Sequence, residues 1–426
     1  MAAPADDRAA ELVALTAALV DLPSPTGSEL ACARHLRDWF RDRSIEAHLE
    51  HVESGRANVV ATVRGRGRGR GRTLLLCGHL DTSYSGVPAF DYPGLGPGGP
   101  NDVPVARIDR DRIFGLGAFN MKGGLAAAAV ALVELSRGPR LRGDVVFAGV
   151  CGESEKAPVP GALTPRQGGA YRGRGVGARH FLRRRRQIDY AVVAGPSALH
   201  VVNAQAGSLF VVVTACGRPA YLDRRSGAGE GAIEVIAELL PALRVWGAAY
   251  RARHARSTGL GRVEPGLTIG AIEGGWPFAP SMSPAVCHLY LDLRVVPGQS
   301  PAGAVREFRS CLEAFAAGHR SVELRAGVYA RGRGTITPPD HPLVRAAAEV
   351  LEQDLGLAAS PFPAGSADTS NDTSIFRQHG IPAIKVGPSN RFGGDPMSAG
   401  DGGPHVAIGD LVAATRLYVG LTRRLV

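Results

Sequence analysis

With 426 residues the chain is long enough for two or three hydrophobic cores, and its apolar fraction of 45% is that of a globular protein, not a disordered one. No stretch has the uninterrupted apolar length of a bilayer span, and the N-terminus, with Asp6 and Asp7 early, reads as an amphipathic helix instead of a signal peptide; a cytoplasmic protein without a membrane partner is expected. Much of the +10 net charge sits in two runs, Arg64 to Arg72 and Arg183 to Arg186, which lack the interleaved aromatics of a nucleic-acid surface and read as solvated turns.

The opening helix stops at the breaker cluster Asp21-Leu-Pro-Ser-Pro-Thr-Gly27, and a second helix is predicted over Glu29 to Asp42. Ala57 to Arg64 and Thr73 to Cys77 read as strands, the latter suited to a buried parallel position. Gly86 to Pro104, rich in Gly and Pro, reads as a long surface loop. Met121 to Leu135 comes next as an Ala-rich helix, then Asp144 to Val150 and Tyr190 to Ala194 as buried strands. Beyond them lie a strand at Gly207 to Cys216, a helix at Glu230 to His254 and strands at Gly266 to Ile272 and Ala285 to Val296. A helix at Ala302 to Ala317 and a strand at Ser321 to Val328 complete a β-α-β-β-α-β block, a ferredoxin-like order. A helix at His341 to Leu355, a strand at Ala383 to Val386 and a helix at Asp410 to Leu425 close the chain. The expected architecture is an α/β domain in two parts, 1–204 and 329–426, around an inserted α+β domain at 205–328, with a ligand site in the cleft between them. The cysteines (Cys32, Cys77, Cys151, Cys216, Cys287, Cys311) have no CxxC spacing and read as free thiols, most of them within apolar runs.

Three segments carry chemistry. Leu74-Leu-Leu-Cys-Gly-His-Leu-Asp-Thr82 ends a buried strand in Gly-His-x-Asp, placing an imidazole at the strand's carboxyl end with an aspartate able to orient the ring. Gly115-Leu-Gly-Ala-Phe-Asn-Met-Lys-Gly-Gly124 is the second, and Gly149-Val-Cys-Gly-Glu-Ser-Glu155 puts two acids just past another strand. The order and spacing of all three resemble the M20 family of dinuclear-zinc aminoacylases, deacylases and carboxypeptidases. The likeness is nearest to its acetylornithine-deacetylase and succinyl-diaminopimelate-desuccinylase types and extends to its carboxypeptidase-G-like members. It continues through Val192-Val-Ala-Gly-Pro-Ser197, Gly217-Arg-Pro-Ala-Tyr221, Asp292-Leu-Arg-Val-Val-Pro-Gly298 and Gly380-Ile-Pro-Ala-Ile-Lys-Val-Gly-Pro388. The resemblance implies an M20 catalytic domain with an inserted lid and dimerisation domain, hence a homodimer, with Leu209, Phe210 and Val212 supplying an apolar strand to the interface.

The resemblance also implies a metal pair held by His79, a bridging Asp, an acid of the G-[DE]-P-[ST] motif, a glutamate of a Glu-Glu pair and a C-terminal His, with the other glutamate as general base. Here His79 and Asp81 remain, but the bridge position is Asn120, the acid position is Gly195, and Gly393 to Pro404 contains no histidine. The glutamate pair is Glu153-Ser-Glu155. Two divalent ions about 3.5–4 Å apart repel by on the order of 20 kcal/mol at an effective dielectric of about 20, a repulsion that an anionic bridge offsets and a neutral amide does not. No cofactor is therefore assigned. The metal arrangement left open is a single Zn²⁺ on His79 and Glu155, or Glu153, with His200 or His405 recruited.

The lid positions that contact substrate in the family are Tyr221 in place of a histidine, Gly231 in place of an asparagine, and the retained Arg294, which suits a carboxylate. The candidate catalytic residues are His79, Asp81, Glu153, Glu155 and Tyr221, and the candidate substrate contacts are Asn120 and Arg294. Lys122, at a helix start, reads as structural, and Asp368 and Asp372 as loop-capping acids. Three functions are expected, in this order. The first is an enzyme acting on an amino-acid-like small molecule by transfer, condensation, cyclisation or elimination without the zinc pair. The second is an N-acyl amino acid hydrolase with a rebuilt mononuclear site. The third is a non-catalytic binding or scaffold homologue.

Overall fold

The computed structural model describes residues 5–67, 71–87, 103–154, 159, 161, 173–184, 187–221, 231–319, 322–358, 372–389 and 403–426. In chain order these form α1 (Ala5–Val20), α2 (Leu30–Arg41), β1 (Glu46–Glu53), β2 (Arg56–Val63), β3 (Leu74–His79), α3 (Gly123–Arg137), β4 (Val145–Val150), α4 (Val176–Arg183) and β5 (Tyr190–Val193). The chain continues with β6 (Gly207–Cys216), α5 (Ala232–His254), β7 (Leu267–Gly274), β8 (Val286–Val295), α6 (Pro301–Ala316) and β9 (Glu323–Arg331), then α7 (Pro342–Glu349), α8 (Asp372–Gln378), β10 (Ala383–Lys385) and α9 (Ile408–Leu425). Shorter bridges complete the set. The predicted elements recur in this order; β1, whose alternating charged residues lack an apolar run, and the short helices α4 and α8 were not predicted.

The body sheet runs β1-β2-β4-β3-β5-β10, parallel from β4 to β10 and antiparallel at the β1 and β2 edge. β3 and β4 are fully buried, as expected of continuous apolar runs with cover on both faces. The Ala-rich α3 lies on one face. Its small side chains let it come so close that a Cβ on Gly124 would sit 1.8 Å from the Ala194 carbonyl oxygen, so only glycine fits there. By length and hydropathy the segment Ala118–Arg137 would pass as a membrane span, yet 83% of it is buried, and its place is that of a core helix between the sheet, α1 and α9.

Residues 207–331 build a second, four-stranded antiparallel sheet, β7-β8-β6-β9, with its own apolar core against α5 and α6. That order is the ferredoxin-like arrangement read from the sequence. β6, however, lies between β8 and β9, with Leu209 and Val212 buried, so Leu209, Phe210 and Val212 form no edge for pairing. The edges are β7 and β9. All six cysteines are free. The arginine run after β2 is tied to the body through Arg64 on Asp144 and the backbone of Gly65 and Gly67, as a turn.

Candidate functional site

The carboxyl ends of β4, β3, β5 and β10 line up along one edge of the body sheet, where open α/β sheets bind ligands. β3 ends on His79, and in-register pairing places Cys77 beside Val193 and Val193 beside Lys385. Residues in register share a face, so His79, Gly195 and Lys385 stand on one side of this edge, opposite α3.

His79 is buried at 4% exposure. Its Nδ1 lies 2.9 Å from the backbone oxygen of Asp81, which only accepts, so Nδ1 carries a proton. Its Nε2 lies 3.1 Å from the side-chain amide of Asn120 and 3.8 Å from Oε2 of Glu153. The ring is thus oriented by the Asp81 carbonyl, whereas the sequence reading assigned that task to the carboxylate, which lies 3.7 Å away. The Asp81 carboxylate has another function. It accepts the backbone N–H groups of Glu153 (2.9 Å) and Ser154 (3.1 Å) and the hydroxyl of Thr26 (3.0 Å). Burial alone would raise its pKa, but the attraction of His79 and these three donors outweigh burial and hold it below the ordinary carboxylate range. Asp81 therefore stays ionised and fixes the turn that presents Glu153. The segment bearing Thr26 is itself held by Arg56, fully buried and bidentate to Glu29 at 2.9 and 3.1 Å.

Asp372 is the group the sequence reading misplaced. Asp368 and Glu155 lie outside the described residues, but Asp372 opens α8 at 1% exposure and caps no loop. Neither carboxyl oxygen has a hydrogen-bond partner among the described residues. Burial first, then repulsion from Glu153, pushes its pKa well above the ordinary value, against the weaker pull of His79 and Arg179. The protonated form of this carboxyl is thereby favoured. It packs so close to Gly175, which has φ 72°, that a Cβ there would meet its Oδ1 at 2.8 Å and Ile375 at 2.0 Å. The sequence cue was Ile375 and Phe376 just behind Asp372, the start of an apolar helix face that draws an acid inward.

The other predicted residues are dispersed. Asn120 is the partner of His79 Nε2. Tyr221 is 57% exposed on a two-residue strand of the second domain and does not border the cleft. Arg294, read as a carboxylate contact, instead pairs with Asp292 on its own strand at 2.5 Å and also lies away from the cleft. His405 packs at a tilt against the Phe114 ring, with its Nδ1 on the Gly403 carbonyl. Lys122 is structural as expected, its ammonium donating to the Leu22 carbonyl at 2.8 Å.

Among the described residues the donor set does not fit a pair of divalent ions. Asn120 offers a neutral amide where a bridging carboxylate is needed. At Gly195 there is no side chain, and the space an acid would enter is taken by Lys385, whose Cδ would lie 2.9 Å from a Cβ there. Among the described residues no three His, Cys, Asp or Glu side chains converge as a metal site, so neither His200 nor His405 completes one with His79 and Glu153.

A cavity of about 410 Å³ opens beside this cluster, bordered by Glu153 and Gly175 from the body, Ser300 at the start of α6, and Ser374 on α8. A profile of peptidase family M20/M25/M40 matches residues 75–424. The chain is 25% identical over 332 residues to acetylornithine deacetylase of Aliivibrio fischeri, covering 75% of each. It is 26% identical over 422 residues to a Mycobacterium tuberculosis protein named for succinyl-diaminopimelate desuccinylase, covering 96% of this chain and 98% of the other. In structure it resembles a Staphylococcus aureus tripeptidase (TM-score 0.71, 18% identity, 98% of each chain) and a dinuclear metal-binding M20 peptidase of Bacillus subtilis (TM-score 0.65, 14% identity, 98% of each chain). At these identities the structural likeness speaks for the fold.

Proposed function

Because the chain belongs to peptidase family M20/M25/M40, we propose that it acts on the acyl or amide group of an amino-acid-like small molecule, with acid–base side chains carrying the chemistry that a metal pair carries in its dinuclear relative. The observation behind this reading is the pairing of His79 Nε2 with Asn120, on a sheet edge where Lys385 fills the space beside Gly195. Glu153, at the cavity wall and anchored through Asp81, is the general base. His79, with its Nε2 3.8 Å from Oε2 of Glu153, positions this carboxylate, and buried Asp372 stands behind Gly175. Such a site transfers an acyl group, condenses, cyclises or eliminates, reactions that need proton transfer and positioning more than a Lewis acid.

The test joins metal content with turnover. Protein purified without chelator or histidine tag is expected to hold less than one zinc per chain by elemental analysis. Turnover on a panel of N-acyl amino acids and amino-acid-derived amides is expected to survive chelation. Two tightly held metals per chain with chelator-sensitive hydrolysis would overturn the reading in favour of an ordinary amidohydrolase. No turnover of any panel member, with tight ligand binding, would favour a binding homologue.

We place the protein in the cytoplasm, a reducing compartment suited to six unpaired thiols. We also propose a homodimer through the β7 edge of the second domain, where Ile272, Trp276 and Phe278 are exposed together. Light scattering should give a dimer at micromolar concentration, and Trp276→Glu with Phe278→Glu a monomer; a monomeric wild type would refute the assembly.

A further inference from the structure

Four arginines border the same cavity, and nothing in the proposed acid–base chemistry uses them. Arg174 and Arg179 come from the body, just before and within α4; Arg331 and Arg333 come from the return of the second domain at the end of β9. The two pairs meet. Arg174 is held by its backbone N–H on the Ser154 carbonyl at 2.8 Å, and its guanidinium lies 5.2 Å from the centre of the Phe210 ring. One of its terminal nitrogens lies 3.7 Å from where a Cβ on Gly332, between Arg331 and Arg333, would be. Gly332 in turn donates to the Ser208 carbonyl at 2.7 Å, which fixes the turn carrying both arginines. Arg331 and Arg333 are exposed and take part in no ion pair or side-chain hydrogen bond among the described residues.

The charge balance decides the ligand. Among the described residues, the cavity lining sets four arginines and the positive end of α6, a 16-residue helix starting beside Ser300, against one carboxylate, Glu153. A single substrate carboxylate is satisfied by one bidentate arginine. Arginines from two domains, Arg179 on one side and Arg331 with Arg333 on the other, suit two anionic groups on one molecule, and the cavity volume of about 410 Å³ accommodates an amino acid with an acyl or phosphoryl extension. We propose that this cleft binds a dianion, an amino-acid-derived molecule with a second carboxylate or a phosphoryl group, and that Arg331 and Arg333 hold the second anion. The proposal rests on the reading of an amino-acid-like ligand, and makes it narrower.

The experiment measures binding to the protein as purified, without reference to turnover, by calorimetry with three probes. N-acetylglutamate and N-acetylglutamine match in size and differ by one charge; N-acetylphosphoserine replaces the second carboxylate by a phosphoryl group. N-acetylglutamate is expected to bind about tenfold or more tighter than N-acetylglutamine, the effect of one bidentate arginine contact. Tighter binding of the phosphoserine probe would identify the second group as phosphoryl. In the double variant Arg331→Gln with Arg333→Gln the preference should fall to about one, while Arg244→Gln, an exposed arginine on α5, should leave it unchanged. Equal affinity for the glutamate and glutamine probes, a preference that survives the double variant, or no binding of any probe at millimolar concentration would each overturn the proposal. Should the acid–base reading fail because a metal pair is found, this charge preference is still measured on the same protein, so the two failures are distinct.

Discussion

Two neighbouring stretches of one sheet edge differ in what they retain. At the ends of β3 and β4, His79, Asp81 and Glu153 form a connected set in which the Asp81 carboxylate accepts three hydrogen bonds and Glu153 is presented to the cavity. At the ends of β5 and β10, one strand over, the position of an acid is Gly195, and the aliphatic stem of Lys385 has closed the space. Both stretches rest on the same core and the same register, so packing does not separate them. A polar network anchored by one buried carboxylate collapses as a unit if any member goes, whereas a single ligand on a strand end is lost at little structural cost and its space is then filled.

The contrast is broken most directly at Asp81. Asp81→Ala leaves two backbone N–H groups and a hydroxyl without their acceptor and releases the Glu153 turn. It should cost about 3–5 kcal/mol in urea denaturation and abolish turnover; a variant as stable and active as wild type would show the network to be a relic. Next in size, Glu153→Gln and His79→Ala should each lower turnover by at least about 100-fold. For Glu153→Gln the stability measured by denaturation should shift by no more than about 0.5 kcal/mol, since its side chain faces the cavity; a large stability loss with full activity would move Glu153 from chemistry to structure.

On the other stretch, Gly195→Asp pushes a Cβ against Lys385 and should destabilise by about 1–3 kcal/mol. Neither it nor Asn120→Asp alone should bring zinc content to two per chain or produce an ordinary deacylase, because repairs to a set that acts together recover little singly. Elemental analysis of the two single variants and the double variant checks this.

The smallest effect sharpens the role of Asp372. A carboxyl whose pKa in the fold lies above its unfolded value binds more protons in the native state. Its contribution is therefore complete below the ordinary carboxylate range and is lost as pH rises through the elevated native pKa. Glu153 and Asp81 face it as like charges, His79 and Arg179 as opposing ones. Asp372→Asn, neutral at every pH, should be more stable than wild type at pH 8 by about 1 kcal/mol and lose that advantage near pH 4. Thermal unfolding across that range measures it, and parallel curves would mean that Asp372 is not held protonated.

The sequence alone determined the buried strands of the body sheet, the inserted ferredoxin-like order and the place of His79, because continuous apolar runs between breakers fix buried strands, and the residue closing such a strand stands at the sheet's edge. It also showed which ligand positions had changed, since Asn120 and Gly195 are visible as letters. What only the tertiary structure decided is what those changes mean side by side. Asp81 turned out to hold a loop, because its three donors come from residues 26, 153 and 154, far apart in the chain. Asp372 became a buried acid because α8 seats it against Gly175 and near Glu153, a closeness across more than two hundred residues that no local pattern carries. The arginine-walled cleft is assembled from the start of α4 and the end of β9, two segments about 150 residues apart that only the fold brings together.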